Sequence, residues 1–262
     1  MDILTKIVAD KRVEIRKEKE ERSLESLREI ALAREAGPAF SEALKSAPIG
    51  LIAEVKRKSP SAGSIREPFL PDEIARAYEN AGVQAISVLM DRPYFGGGEK
   101  DFQAVRSAVP LPLLYKEFVV DEWQIWHAAS LGASAVLLIA RVLSRSEMER
   151  MIECCREARL QALVEVHDEV EMSTIAGLPV ACVGVNNRDL KTFTVALETT
   201  LRLKDLAPDG SLLVSESGIR SPDDVRLLAE GGIDAVLVGE HLLRQPDPGL
   251  AVRTLMNLVW RE

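Results

Sequence analysis

Leu111-Pro112-Leu113-Leu114-Tyr115-Lys116-Glu117-Phe118 is apolar through Tyr115 and then turns abruptly charged. In an extended chain, residues two apart share a face, so Lys116 follows Leu114 on one side of a strand. An ammonium at the end of an apolar face is costly to desolvate unless it is ion-paired or opens on a cleft. Short apolar runs of similar length recur at 51–56, 84–89, 111–116, 134–140, 161–166, 180–186, 211–216 and 234–239. Amphipathic helical stretches separate them, among them 71–81, 121–131, 144–159 and 221–230. Gly82, Gly132, Gly177 and Gly232 stand where helices should stop before the next strand. Eight strands alternating with helices predict a (β/α)8 barrel. An open doubly wound sheet is the competing arrangement, but no Gly-x-Gly-x-x-Gly follows the first strand.

The chain has 262 residues, enough for two small domains or one large single-core barrel, and its 47% hydrophobic and 28% charged residues suit a soluble globular protein. A formal net charge of −8 disfavours nonspecific attraction to nucleic acid or to an anionic membrane. No apolar run approaches the length of a membrane span, and the first residues lack the apolar core of a signal peptide. Three cysteines, Cys154, Cys155 and Cys182, form no Cys-x-x-Cys pair, and their odd number argues against a disulfide framework. A reducing cytoplasm is the expected compartment.

Residues 2–35 read as helical, with apolar residues at three- and four-residue steps and a break at Gly37-Pro38. Ser23 and Ser26 compete as the cap of a second helix, and a short helix follows over 40–45. The charge-rich run 11–21 reads as a solvated helix face. We therefore divide the chain into a helical extension, 1–47, and a barrel, 48–262, forming one structural domain together. A lid, an oligomer contact and a plug for the barrel all fit the extension.

The strands are apolar until their last residues and polar there. Glu54 and Lys56 end the first, Lys116 the third, Glu165 the fifth, Asn186 and Arg188 the sixth, and Ser215-Glu216-Ser217-Gly218 the seventh. A barrel brings these ends to one mouth, where its active sites are built. Any one charge could close a structural ion pair, but the whole set forms a dense cluster. Ser217-Gly218-Ile219 before Ser221-Pro222, and Val238-Gly239-Glu240 before a short helix, are the loops that hold phosphate in many such barrels. The run 56–61, Lys-Arg-Lys-Ser-Pro-Ser, adds mobile positive charge and hydroxyls, and equally fits a solvated basic loop. His127, His167 and His241 show no metal-ligand spacing, and His127 and Cys154-Cys155 read as packing residues inside helices.

Six segments resemble the indole-3-glycerol-phosphate synthase family. They are Ile52-Ala-Glu-Val-Lys-Arg-Lys-Ser-Pro-Ser61, Ala85-Ile-Ser-Val-Leu89 with Tyr94-Phe-Gly-Gly97, Tyr115-Lys-Glu-Phe118, Leu163-Val-Glu-Val-His-Asp168, Gly184-Val-Asn-Asn-Arg-Asp-Leu190 and Val214-Ser-Glu-Ser-Gly-Ile219. The resemblance spans essentially the whole chain. It implies ring closure, decarboxylation and dehydration of 1-(2-carboxyphenylamino)-1-deoxyribulose 5-phosphate in tryptophan biosynthesis, without metal or organic cofactor. It further implies that Lys116 is the general acid, that Glu165 is the base of the late proton removal, and that Lys56, oriented by Glu54, holds carboxylate or assists proton transfer. Asn186 and Glu216 match further active-site positions, and Arg188, Ser217 and Phe95 match substrate-binding ones, with Phe95 against the anthranilate ring. Ser59, Gly218, Gly239 and Glu240 match the phosphate site, the last two through backbone N–H. The partner so implied is a small phosphorylated molecule, with the protein a monomer or weak homo-oligomer. Three positions depart from the family's usual residues: Glu117 for aspartate, Met90 for threonine and Gly98 for serine. Another phosphosugar barrel, such as phosphoribosylanthranilate isomerase or a Schiff-base aldolase, and a noncatalytic phosphate-binding barrel are the alternatives.

Overall fold

The two-residue strand period decides what faces the barrel interior, and the interior then decides the layers. Ile52, Leu114, Leu163 and Val214 belong to one buried cluster inside the barrel. Each is followed two residues later by a polar side chain: Glu54, Lys116, Glu165 and Glu216. One end of the interior is therefore dry and the other charged. The computed structural model describes residues 3–60, 63–189, 194–257 and 259–260. Ser61 of the basic loop and Leu190 of the fifth resembling segment lie outside the described residues.

The strands are β1 (Gly50–Val55), β2 (Ala85–Leu89), β3 (Leu113–Lys116), β4 (Ala135–Ile139), β5 (Gln161–Val166), β6 (Cys182–Asn186), β7 (Leu212–Glu216) and β8 (Ala235–Val238). Each lies parallel to the next, and β8 closes on β1. This is the (β/α)8 barrel that the alternation predicts, and the open sheet is excluded. Strand bounds fall within two residues of those read from the sequence. Pro112 stays outside β3 because it has no N–H to give the ladder, although its carbonyl accepts from Ile86. A two-residue ladder of Lys58–Ser59 against Gly63–Ser64, absent from the sequence reading, folds the loop after β1 back on itself.

The helices around the barrel start where side chains can satisfy their free N–H groups. Asp121 with Gln124, Ser144 with Glu147 and Ser221 with Asp224 make reciprocal caps for α7 (Glu122–Ser130), α8 (Arg145–Glu157) and α11 (Pro222–Glu230). The others are α4 (Pro71–Asn80), α5 (Arg92–Phe95), α6 (Glu99–Ala108), α9 (Glu169–Thr174), α10 (Glu198–Leu203), α12 (Glu240–Leu243) and α13 (Pro248–Met256). Cys154 and Cys155 are buried in α8, and all three cysteines are free. No helix among the described residues is long and apolar enough to cross a membrane.

The extension comprises α1 (Ile3–Glu21), α2 (Leu24–Ala33) and α3 (Phe40–Leu44). Ser23, rather than Ser26, caps α2, accepting from the Ser26 N–H. Phe40 and Leu44 of α3 join the interior cluster with Ile52, Ala85 and Ala235, so α3 plugs the dry end of the barrel. At the other end Ile3, Leu4 and Ile7 of α1 face the charged mouth. The run 11–21 is only partly the solvated face expected of it. Lys11 is 2% exposed and Ile15 is buried, because that side of α1 packs on the barrel rim.

Candidate active site

The charged strand ends converge on one cavity of about 800 Å³. Glu54, Lys56, Lys116, Glu165, Asn186 and Glu216 all line it. So do Arg188, Ser217 and Phe95, and so do Ser59, Gly218, Gly239 and Glu240. All thirteen side chains or backbone positions named from the sequence thus share one site. Lys116 Nζ lies 2.7 Å from Glu216 Oε2 and 3.4 Å from Glu165 Oε2. Lys56 Nζ lies 2.5 Å from Glu54 Oε2. Register explains the pairing: Ile139 lies opposite Glu165, Asn186 opposite Glu216 and Leu89 opposite Lys116, which puts these ends at one height in the barrel.

Burial and charge pull these groups in opposite directions. Burial alone would lower Lys116, but Glu216, then Glu165 and Glu54, outweigh it and hold the ammonium well above the ordinary lysine range. Glu216 goes the other way. Burial, only partly offset by Lys116, pushes its carboxyl up to about 7. Burial also acts on Glu165, but Lys116, His167 and an Asn186 hydrogen bond together bring it below the usual value. The site therefore sets an ammonium between one carboxyl held low, Glu165, and one pushed high, Glu216. Two carboxylates with pKa values pushed apart around one ammonium suit distinct proton-transfer roles.

Two glycines make room for this cluster. A methyl group on Gly184 of β6 would overlap Glu216 Oε1, and one on Gly239 would overlap Glu54 Oε2. Gly239 was read as a phosphate-loop residue, but the structure gives it this second duty. Ser217 has φ 68°, an uncommon conformation for a residue with a side chain, and turns the chain sharply where β7 enters the mouth. Arg220, His241 and Arg244 also line the cavity, although the sequence reading gives none of them a place in the site. Their signal was only a place just after the two glycine loops. Arg244 is paired to Glu240 at 2.9 Å.

The cavity also has an apolar lining, from Ile3, Leu4 and Ile7 of the extension and from Leu89, Phe95 and Phe118. The rings of Phe95 and Phe118 are 6.0 Å apart and tilted by 40°. Asp91 caps α5 and so fixes Phe95, accepting from the N–H groups of Tyr94 and Phe95. The basic loop after β1 is not a set of mobile charges. Arg57 binds Asp101 at 3.0 Å and lies over the Phe69 ring, while Lys58 donates to the Pro93 carbonyl. These contacts dock the loop on the Phe95 segment.

His167 is the third polar group on the β5 side. Its Nε2 is 3.5 Å from Glu165 Oε1, and its Nδ1 is 3.0 Å from Glu171 Oε2. Burial opposes its charge, but Glu171 and Glu165 raise its pKa above the ordinary histidine value. The sequence signal for it is the two-residue step from Glu165, inside β5, to His167 just beyond the strand. His127 is packed as expected, with its ring 4.9 Å from that of Trp123 and hydrogen-bonding partners in Tyr115 and Glu99. No group of three or more His, Cys, Asp and Glu side chains is arranged to hold a metal ion among the described residues.

The fold and these strand ends have many relatives. Among solved structures, the chain resembles 3-hexulose-6-phosphate synthase from Salmonella typhimurium, with a TM-score of 0.64 over 80% of this chain and 98% of that one. It also resembles the N-acetylmannosamine-6-phosphate 2-epimerase from Clostridium perfringens, with a TM-score of 0.62 over 86% and 99%. Sequence identities of 14% and 13% make both likenesses a matter of fold alone. In sequence, the chain is 44% identical to the indole-3-glycerol phosphate synthase of Acinetobacter baumannii, over 97% of this chain and 96% of that protein. It is also 44% identical to the protein of that name from an Azoarcus species, over 98% and 99%. The chloroplastic protein of that name from Arabidopsis thaliana is 46% identical over 79% of this chain and 54% of its own length. The sequence model described as Indole-3-glycerol phosphate synthase matches residues 4–255, so the chain belongs to the indole-3-glycerol phosphate synthase family.

Proposed function

We propose that the chain is a carboxy-lyase that converts 1-(2-carboxyphenylamino)-1-deoxyribulose 5-phosphate to indole-3-glycerol phosphate, carbon dioxide and water. The observation that carries this reading is the placement of Lys116 Nζ against the Glu216 and Glu165 carboxylates. Glu216 and Glu165 hold it as an ammonium, which suits an acid and opposes a Schiff-base nucleophile, since that needs a free amine. The anthranilate ring lies against Phe95, Phe118 and the α1 residues. The phosphate lies at the other wall, at Ser217-Gly218, Gly239 and Glu240 backbone N–H groups and Ser59, with Arg188 holding the substrate between.

In the first step the ring carbon bearing the carboxylate attacks the ketone carbon. Electron density moves to the ketone oxygen, and Lys116 gives it a proton. A positioned acid typically contributes about 10² to 10⁴ in rate. Lys56 holds the substrate carboxylate through this step, kept in place by Glu54. The carboxylate then leaves as carbon dioxide, and its bonding electrons return to the ring. In the last step the new hydroxyl leaves as water with a proton from an ammonium at the mouth, while Glu165 removes the proton that completes the indole. Asn186 and Glu216 hold Glu165 and Lys116 in register through these transfers.

Free, buried cysteines suit a reducing compartment, and we place the protein in the cytoplasm. We treat the extension and barrel as one domain, acting as a monomer or weak homo-oligomer. Adding the carboxyphenylamino substrate and following indole fluorescence tests the activity. Product should appear continuously and without added metal. Tight binding with no fluorescence change would sink the reading, and borohydride trapping of Lys116 on substrate would replace it with an aldolase.

A further inference from the structure

Lys11 sits on α1, one turn beyond the cavity-lining Ile7, and is sealed from solvent. Its ammonium contacts three carboxylates: Glu14 at 2.7 Å, Asp91 at 3.1 Å and Glu117 at 3.0 Å. Two of these bear on the site, Glu117 in its lining and Asp91 behind it. Asp91 caps the helix that presents Phe95. Glu117 adjoins Lys116 in the chain, and its other oxygen accepts from the Phe118 N–H. A second tie joins the same helices, since the Tyr94 hydroxyl donates to Asp10 of α1. The Glu117 carboxylate completes the Lys11 cluster and helps to fix Phe118 through its other oxygen.

We propose that Lys11 is a positioning residue for the reaction, holding the Phe95 and Phe118 ring wall and the Lys116 strand end in register from the N-terminal helix. The proposal rests on the synthase reading above. Glu14 and Glu18 face the ammonium from its own helix, and Asp91 and Glu117 face it from the barrel. With so many carboxylates around one cation, removing that cation leaves buried like charges beside one another. The strand end and α5 then lose their shared ion-pair anchor on α1. A shift of about 1 Å in such positioning can cost about a hundred-fold in rate.

The test compares wild type, Lys11→Met, Glu117→Gln and the double variant in the full chain, with Phe40→Leu as a control. Phe40 fills the opposite end of the barrel, so its truncation weakens the fold without touching the mouth. Unfolding midpoints are measured first, and indole formation is then followed well below each midpoint. Lys11→Met is expected to lower kcat/KM by about ten-fold or more. Phe40→Leu should remain near wild type at that temperature. Because Lys11 and Glu117 act through one cluster, the double variant should be no slower than Lys11→Met alone. Wild-type kinetics in a folded Lys11→Met, or equal losses in Lys11→Met and Phe40→Leu, would overturn the proposal. If Lys11→Met does not fold, Glu117→Gln decides: a several-fold fall in kcat supports the proposal, and an unchanged kcat overturns it. A wild type that makes no indole removes the synthase reading itself, and this inference falls with it.

Discussion

Lys11 and Lys116 are each one ammonium among several carboxylates, and each is held above the ordinary lysine range by its partners against burial. They differ in what lies on their open side. Lys116 is 13% exposed and faces a cavity large enough for a substrate. Lys11 is 2% exposed and faces protein on every side. On the roles proposed above, the same local electrostatics supply a proton donor at one place and an anchor at the other. A perturbed lysine is a candidate acid only where a reacting atom can reach it.

The largest effect expected from breaking this pair is at the cavity side. Lys116→Met should lower turnover by about 10² to 10⁴ while substrate still binds, as read by single-turnover kinetics beside a binding titration. Near-normal turnover would take Lys116 out of the mechanism. Glu165→Gln should slow the last step more than the first, so that a ring-closed intermediate accumulates in rapid-quench samples. Intermediate-free decay at the wild-type rate would remove Glu165 as the base.

A smaller effect is expected where backbone space shapes the cluster. Gly184→Ala places a methyl where Glu216 now lies and should destabilise the fold by about 1–3 kcal/mol, measured by chemical unfolding. It should also weaken the hold on Lys116 and lower kcat. Unchanged unfolding would mean that Glu216 has room to move aside.

The smallest effect concerns pH. Burial, only partly offset by Lys11, pushes the Glu117 carboxyl up to about 7, above the ordinary value of 4.5. Between those values the folded chain binds more proton at Glu117 than the unfolded chain does. That contribution to stability is fully present below 4.5 and is lost as pH rises through about 7. Glu117→Gln should therefore flatten the fall in stability between pH 5 and 8 relative to wild type. An unaltered slope would place that titration elsewhere.

The contrast between the two lysines also marks how far sequence reaches. Lys116 was legible because strand geometry has a strict period of two and Leu114 precedes it on an apolar face. The same rule exposed Glu54, Glu165 and Glu216, and the alternation of strands and helices brought them to one mouth. Lys11 was not legible. It opens a run dense in charge, and only the packing of α1 on the barrel rim shows which helix face is covered. Gly184 was hidden for a related reason, since its need is set by Glu216 on the neighbouring strand. Arg220 and Arg244 follow the glycine loops, but the sequence does not show that Arg220, after the turn at Ser217, and Arg244, at the end of α12, line the same cavity. Local periodicity could name what ends a strand, but not what another element would press against it.

A crystal structure with bound indole-3-glycerol phosphate tests the central claim most directly. The account places the indole against Phe95 and Phe118 and the phosphate at the Ser217-Gly218 and Gly239 loops. Lys116 Nζ and a Glu165 carboxylate oxygen should then lie within about 3.2 Å of the reacting atoms or of one bridging water. Product bound with its phosphate toward the α1 wall, or with Lys116 still buried between its carboxylates and out of reach of the ligand, would contradict it.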